Sequence, residues 1–413
     1  MKLPSMQRNN VVCLAIVSAA AAIAGSIITI LLGISMVWAL VSLALKRYPA
    51  RFQRSDLYVI GPALLYSATI LLAAFVNYDP ATADRLLSRG AALLPFIFFP
   101  LILPRLRVGS SSSLIDAFLV GAAVCGILAL PLAFVQVEFY QIRASGGIGN
   151  ALPFSMVCAM LASVSLLNTV SPRPRRQALG WAGFVAGIMC VLLSQSRGVL
   201  PIPAIALVML FALFPQKLRR FYNWKGAVLL VIGVVVVFAM GFKHSQRLIE
   251  MLGYFANDTG ADESYTARIG LWKYASGLIA ENPWLGYGVQ NRSELIEQAG
   301  YTFTHFHNGF ISATVDAGLI GLIATLLMLF SPVLNVLRNP TTIARRKRLF
   351  MALLVPIGYF IAGSTNILFF QDIYDSLFLW LVIIVAVPLS QKVILLPPGT
   401  TVAPAAHKAE HVQ

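Results

Sequence analysis

His307 is the residue best placed to do chemistry. It ends a polar stretch, Thr304-His305-Phe306, and stands just ahead of an apolar run over 310–330. That run is about 21 residues, long enough as a helix to cross a ~30 Å hydrocarbon layer. The spacing places His307 at the water–lipid boundary, at the head of a rigid element. An imidazole there can take a proton from a hydroxyl in a transition state. Arg197 sits in Ser194-Gln195-Ser196-Arg197-Gly198, a tight turn between two apolar runs. An arginine at a membrane face is costly unless it is used. Arg268 lies on a segment, 264–280, that reads as a helix lying on the membrane surface, with Tyr265, Ile269, Trp272 and Ile279 as its apolar stripe. Arginine forks grip phosphate oxygens bidentately, and fixed cations stabilise a departing pyrophosphate. A base beside an anion clamp at a lipid boundary suits transfer of a group from a lipid-linked phosphate donor to a hydroxyl. His305, Asn308, Arg143, Arg247 and Trp272 are candidate supporting residues. The residues alone leave the bland readings open: a capping histidine, and arginines that reach for lipid phosphates.

His305 and His307 could form half of a metal site, with a third ligand from Asp262 or Glu263, but no further histidine lies nearby. The chain has no Asp-x-Asp motif, the usual ligand set of metal-bound nucleotide-sugar chemistry. No metal and no cofactor is therefore expected. Asp116 and Asp316 are the acids inside apolar runs. Asp316 lies about half a turn around a helix from His307 and ~13 Å along it, too far to orient the imidazole. It is expected to pair with another element or to serve a proton relay.

The elements that hold these residues are membrane helices. The chain is 58% hydrophobic and 11% charged over 413 residues. Its net charge of +15 sits in short basic loops between apolar runs, as the positive-inside rule requires, so nucleic-acid binding is not expected. Cys13, Cys125, Cys158 and Cys190 all lie in apolar runs and read as small buried hydrophobes. The run 11–45 is about 35 residues, too long for one span, and splits near Gly25-Ser26. Further runs at 57–76, 91–104, 114–137, 151–170, 178–193, 199–214, 226–242, 307–330, 349–370 and 376–390 bring the count to about twelve, with both termini on the cytoplasmic side. The expected fold is all-α and polytopic. Residues 1–242 would carry helices one to nine, 243–306 a helical periplasmic subdomain with its interfacial helix, 307–390 the last three helices and 391–413 a cytoplasmic tail. On a continuous helix Gly318 and Gly321 would share the face below His307 and admit a neighbouring helix closely.

These motifs resemble the O-antigen ligase family. His307-Asn308 followed by Gly318-Leu319-Ile320-Gly321 is similar to its His-Asn-x9-Gly-x-x-Gly signature. Ser194-Gln195-Ser196-Arg197-Gly198 resembles its Ser-x-Ser-Arg-Gly segment. Arg268-Ile269-Gly270-Leu271-Trp272 and Pro283-Trp284-Leu285-Gly286-Tyr287-Gly288 are similar to its Arg-x3-Trp and Pro-x2-Gly-x-Gly elements. The resemblance implies a metal-independent, inverting glycosyltransferase of the bacterial inner membrane, acting on the periplasmic face. The implied donor is O-antigen polysaccharide on undecaprenyl diphosphate, and the implied acceptor is a sugar hydroxyl of lipid A–core. By carry-over His307 would activate that hydroxyl, and Arg197 and Arg268 would hold the diphosphate. Polymerases and protein O-oligosaccharyltransferases share the superfamily. No arginine placed on the periplasmic side is followed by glycine in the Arg-x10-Gly spacing expected of polymerase loops, which favours a ligase. A polytopic transporter is the alternative outside enzymes. Against it, the largest polar segment does not divide the chain into two equal halves.

Overall fold

The computed structural model describes residues 6–48, 52–108, 110–218, 263–339 and 341–389, and among them every regular element is a helix. Among the described residues seven helical stretches are long and apolar enough to cross a membrane, so the chain is a multi-pass membrane protein. The expected ninth span (226–242), residues 243–262 with Arg247, and the tail 391–413 lie outside the described residues.

In chain order the helices are α1 (Met6–Ala20), α2 (Ile27–Ala44), α3 (Leu57–Val76), α4 (Ala83–Phe98), α5 (Ile102–Leu106), α6 (Ser111–Glu138), α7 (Ala151–Ser165), α8 (Pro174–Leu193), α9 (Pro201–Leu213) and α10 (Pro215–Leu218). After the segment outside the described residues come α11 (Glu263–Glu281), α12 (Arg292–Gln298), α13 (Gly309–Arg338), α14 (Arg345–Gly363) and α15 (Asp372–Ala386). The first apolar run does split, with a turn between Ala20 and Ile27. The fourth expected span, 91–104, departs from expectation. Its helix begins at Ala83 rather than 91 and continues through a 3-10 turn, Phe99–Leu101, to Leu106. Asp79 caps the short 3-10 turn that leads into it, accepting from Ala81 N at 2.9 Å, so the polar first turns of α4 are recruited to the helix.

Four helix starts show why the boundaries fall where they do. Asn150 accepts from Leu152 N at 3.0 Å at the head of α7, and Gln371 accepts from Tyr374 N at 2.9 Å at the head of α15. Proline occupies the first position of α8 and of α9, where its missing N–H costs nothing. α1, α6 and α8 form one packed sheaf. A side chain at Gly126 would fall 2.6 Å from the carbonyl oxygen of Gly183, so these backbones meet without side chains between them.

α15 is the innermost element, with every residue from Ile373 to Ala386 buried. A short helix so placed must satisfy its last carbonyls inside the protein. Arg348 donates to Val385 O at 2.7 Å, Arg107 to Ala386 O at 2.9 Å and Val387 O at 3.1 Å, and Gln53 and Asn339 to Pro388 O at 3.2 and 3.0 Å. Arg107 is neutralised by Asp56 through two 2.7 Å contacts. Cations at a helix C-terminus also suit its dipole.

Candidate functional site

The site is built around the start and the interruption of α13. Asn308 is the N-cap: its side-chain oxygen accepts from Phe310 N at 3.0 Å and Ile311 N at 3.1 Å. Asn308 is thus fixed as a capping residue and shapes the approach of the residue before it. His307 is not on the helix, contrary to expectation; its φ is +51°, a left-handed conformation forced where the chain turns into the cap. Its ring lies edge-on to Phe303 at 4.6 Å and tilted against His305 at 4.5 Å, centroid to centroid. Among the described residues no hydrogen bond to the His307 ring is found. Burial lowers its pKa, and the Arg268 charge lowers it further, so the imidazole is neutral and able to accept a proton at neutral pH.

α11 supplies Arg268 and Trp272. The expected apolar stripe is not the buried one: Leu271, Ala275 and Leu278 are buried, against Ile296, Phe306 and Val315. Through these residues the helix docks on the protein, on α12 and the outer part of α13. Trp272 and Ile279 pack at the margin of that cluster, and Trp272 Nε1 donates to Phe306 O at 2.8 Å. That bond ties the histidine strand to α11 one turn from Arg268.

α13 is interrupted. Ala317 (φ −140°, ψ 19°) and Gly318 (φ +65°, ψ −165°) leave helical geometry, and the second is a conformation open essentially to glycine alone. The segment Pro283–Gly288 laces into the gap. Leu319 N donates to Pro283 O at 2.7 Å, Tyr287 N to Val315 O at 2.8 Å and Gly288 N to Asp316 O at 2.9 Å. A side chain on Gly318 would collide with the Trp284 carbonyl. The expected close approach at Gly318 is therefore real, but its partner is a loop backbone and not a helix. The other end of the loop is bound to α3: Gln290 Nε2 donates to Ala74 O at 3.1 Å and Asn77 O at 3.0 Å.

Asp316, beside the break, pairs with Arg292 of α12, through Nε–Oδ1 at 2.8 Å and a second contact between Nη2 and Oδ2; both side chains are buried. Asp316 is a partner for another element, as its burial requires. Arg292 was not legible as a site residue, although an acid inside an apolar run signals a cation somewhere. Arg292 and Arg268 both push the His305 pKa down; burial is the larger cause, with His307 next, and the result is about 4.

On the facing side, Arg143 donates to Ser194 O at 3.0 Å and Ser196 Oγ at 3.2 Å, holding the turn that carries Arg197. The Arg197 backbone starts a 3-10 turn, Arg197–Val199; its side chain, like those of Asp262 and Glu263, lies outside the described residues. A side chain at Gly198 would lie 2.8 Å from Thr365 Oγ1. Asn308 Nδ2 donates to Ser364 O at 3.4 Å, and His305 Nε2 meets Asn366 Oδ1 at 3.2 Å. The turn after α14 thus brings the Arg197 segment and the histidine segment to one place. Among the described residues no group of three or more His, Cys, Asp or Glu gathers as a metal site. Asp116 is on the other side of the fold, paired with Arg176 at 3.0 Å and Lys347 at 3.3 Å.

Two comparisons with known proteins bear on the site. The sequence profile of the O-antigen ligase family matches residues 182–326, a stretch that holds all four motifs. An uncharacterised protein of Haemophilus influenzae is 22% identical over 320 residues, spanning 70% of this chain and 75% of that protein.

Proposed function

Residues 182–326 belong to the O-antigen ligase family, and from that premise we propose that the chain is a membrane-embedded glycosyltransferase that moves a glycan from undecaprenyl diphosphate to a sugar hydroxyl of lipid A–core. The observation that carries this reading is His307, a neutral imidazole whose ring has no hydrogen-bond partner among the described residues, with Arg268 close enough to shift its pKa.

In the reaction the acceptor oxygen attacks the anomeric carbon from the face opposite the phosphate, and the configuration inverts. The bond from that carbon to the phosphate oxygen breaks, and its electron pair leaves with the diphosphate. The acceptor proton passes to His307. Arg197 and Arg268 hold the diphosphate, whose charge grows as the bond breaks, so their contacts strengthen in the transition state. Arg143 holds the turn that presents Arg197, and Trp272 holds the strand that presents His307. The base is already deprotonated at neutral pH, at the cost of some basicity. No step requires a metal.

The same reading places about twelve spans, GT-C-like in type, in the bacterial inner membrane, with both termini cytoplasmic and the site periplasmic. It keeps 1–242 and 307–390 as membrane segments around the 243–306 periplasmic segment and leaves 391–413 as a cytoplasmic tail. The missing Arg-x10-Gly spacing favours ligation over polymerisation.

The test is in-vitro ligation with purified protein, lipid-linked glycan and lipid A–core. His307→Ala should lower turnover by ~10²-fold or more while the protein remains folded. Wild-type turnover in that variant would end the general-base reading. Activity should persist in EDTA; loss on chelation, restored by one added divalent ion, would replace it with a metal site.

A further inference from the structure

The two histidines are bonded very differently. Both ring nitrogens of His305 are engaged: Nε2 with Asn366 Oδ1 at 3.2 Å and Nδ1 with Thr304 Oγ1 at 3.2 Å. An amide oxygen can only accept, so Nε2 of a neutral His305 carries the proton, and Nδ1 accepts from the Thr304 hydroxyl. Asn366 passes the chain on, its Nδ2 donating to the Tyr374 hydroxyl at 3.1 Å in the first turn of α15. Asn366 and Tyr374 are both buried. Tyr374 is itself anchored, since its backbone oxygen accepts from the Tyr359 hydroxyl and its N–H donates to Gln371.

We propose that Thr304, His305, Asn366 and Tyr374 form a positioning chain that fixes the ring of His307, and that His305 is not a second base. The proposal rests on the reading of His307 as the base. The His305 ring, locked at both nitrogens, forms one wall against His307 at 4.5 Å, and Phe303 forms the other at 4.6 Å. A ring without a hydrogen-bond partner among the described residues needs such walls to stay within the near-attack geometry that proton transfer demands. Burial keeps His305 uncharged; His307 beside it adds to that, as do two cations that face this pair, Arg292 from α12 and Arg268 from α11. A charged His305 would donate from Nδ1 as well, and the bond to the Thr304 hydroxyl would have to reverse. The same turn that offers Asn366 lies against Gly198 and accepts the Asn308 amide. Base and diphosphate clamp are therefore referred to a common support.

The first measurement needs no activity. In 15N-histidine spectra of the full-length protein in lipid nanodiscs at neutral pH, the signal lost in His305→Gln should be that of a neutral ring protonated at Nε2. An Nδ1-protonated or doubly protonated His305 overturns the proposal. The second is ligation at saturating donor. His305→Ala and Asn366→Leu should each lower turnover on the order of 10-fold with little change in donor KM, the effect of a displaced rather than a missing group. His305→Gln keeps a donor toward Asn366 and should stay within ~3-fold of wild type, whereas a base cannot be replaced by an amide. A His305→Gln variant as inactive as His307→Ala makes His305 a base and sinks the chain. Full activity of His307→Ala would instead remove the reading on which the proposal rests, while the spectra still decide whether the chain exists.

Discussion

Two arginines in this protein are each buried against one aspartate, and their surroundings separate an anchor from a working part. Arg107 meets Asp56 at 2.7 Å through two nitrogens, both side chains are 1% exposed, and its remaining donors reach the carbonyls that end α15. Arg292 meets Asp316 with side chains 3% and 1% exposed, but its Nη1 has no partner among the described residues. Its guanidinium lies over Phe370, 5.6 Å from the ring centroid, and lines a cavity of about 10 Å³, roughly the room of one water molecule. A buried pair with every donor satisfied can terminate a helix and hold a fold. A pair left partly open beside an interrupted helix adds positive potential to the histidines nearby, which is how Arg292 bears on His305.

Breaking the inner pair should have the largest effect. Asp56→Ala strands an arginine that cannot deprotonate, at a cost of about 3–5 kcal/mol, so the purified protein should lose most of its thermal resistance or fail to accumulate. A thermal midpoint within a degree or two of wild type would show that the pair is not the anchor described.

Arg292→Met should be milder for the fold, because it removes a cation whose Nη1 is already without a partner among the described residues and fills its place with an apolar side chain. Its signature should be in catalysis instead, with turnover on the order of 10-fold lower. Unchanged ligation together with a midpoint as low as that of Asp56→Ala would erase the distinction between the two pairs.

The smallest effect is a pH dependence. The His305 pKa falls to about 4 in the folded protein from an ordinary 6.5. Between those values the unfolded chain binds the proton and the folded one does not. Stability from this group is therefore constant above pH 6.5, declines as pH falls toward 4 and levels off below. Subtracting the thermal midpoints of His305→Gln from those of wild type across that window should reveal the slope; parallel curves would mean that His305 titrates normally.

Local signals carried much of this molecule. The run 57–76 is helix over the residues expected, because Asp56 and Asn77 bracket an uninterrupted apolar stretch. His307, Arg268 and the Arg197 turn were legible because each belongs to a distinct local motif; the turn after α14 brings the Arg197 and histidine segments together. What escaped was everything set by a distant partner. Nothing local marks Arg292 apart from other arginines; only Asp316, far along the chain, does. The face that α11 buries on the protein, Leu271, Ala275 and Leu278, escaped because it is decided by Phe306 and Ile296. The interruption at Gly318 was missed since a glycine in an apolar run reads equally well as a helix contact. Only the loop that fills the gap decides between them.

That interruption divides α13 into two lengths of different use. From Leu319 to Arg338 there are about twenty residues, ~30 Å of helix, which is by itself the thickness of the hydrocarbon layer. The part from Gly309 to Asp316 is left over: about two turns, ~12 Å, clamped by a strap to α3. It works as a ledge. His307 stands at the free edge of that ledge, set off from the lipid by its length, as a sugar is set off from its lipid tail by a diphosphate. In the proposed reaction the ledge sets how far from the lipid the base stands, and so the height at which the sugar–phosphate bond must be presented to it. Adding or deleting one turn within it would move the base away from that bond and should lower turnover without touching any reacting group.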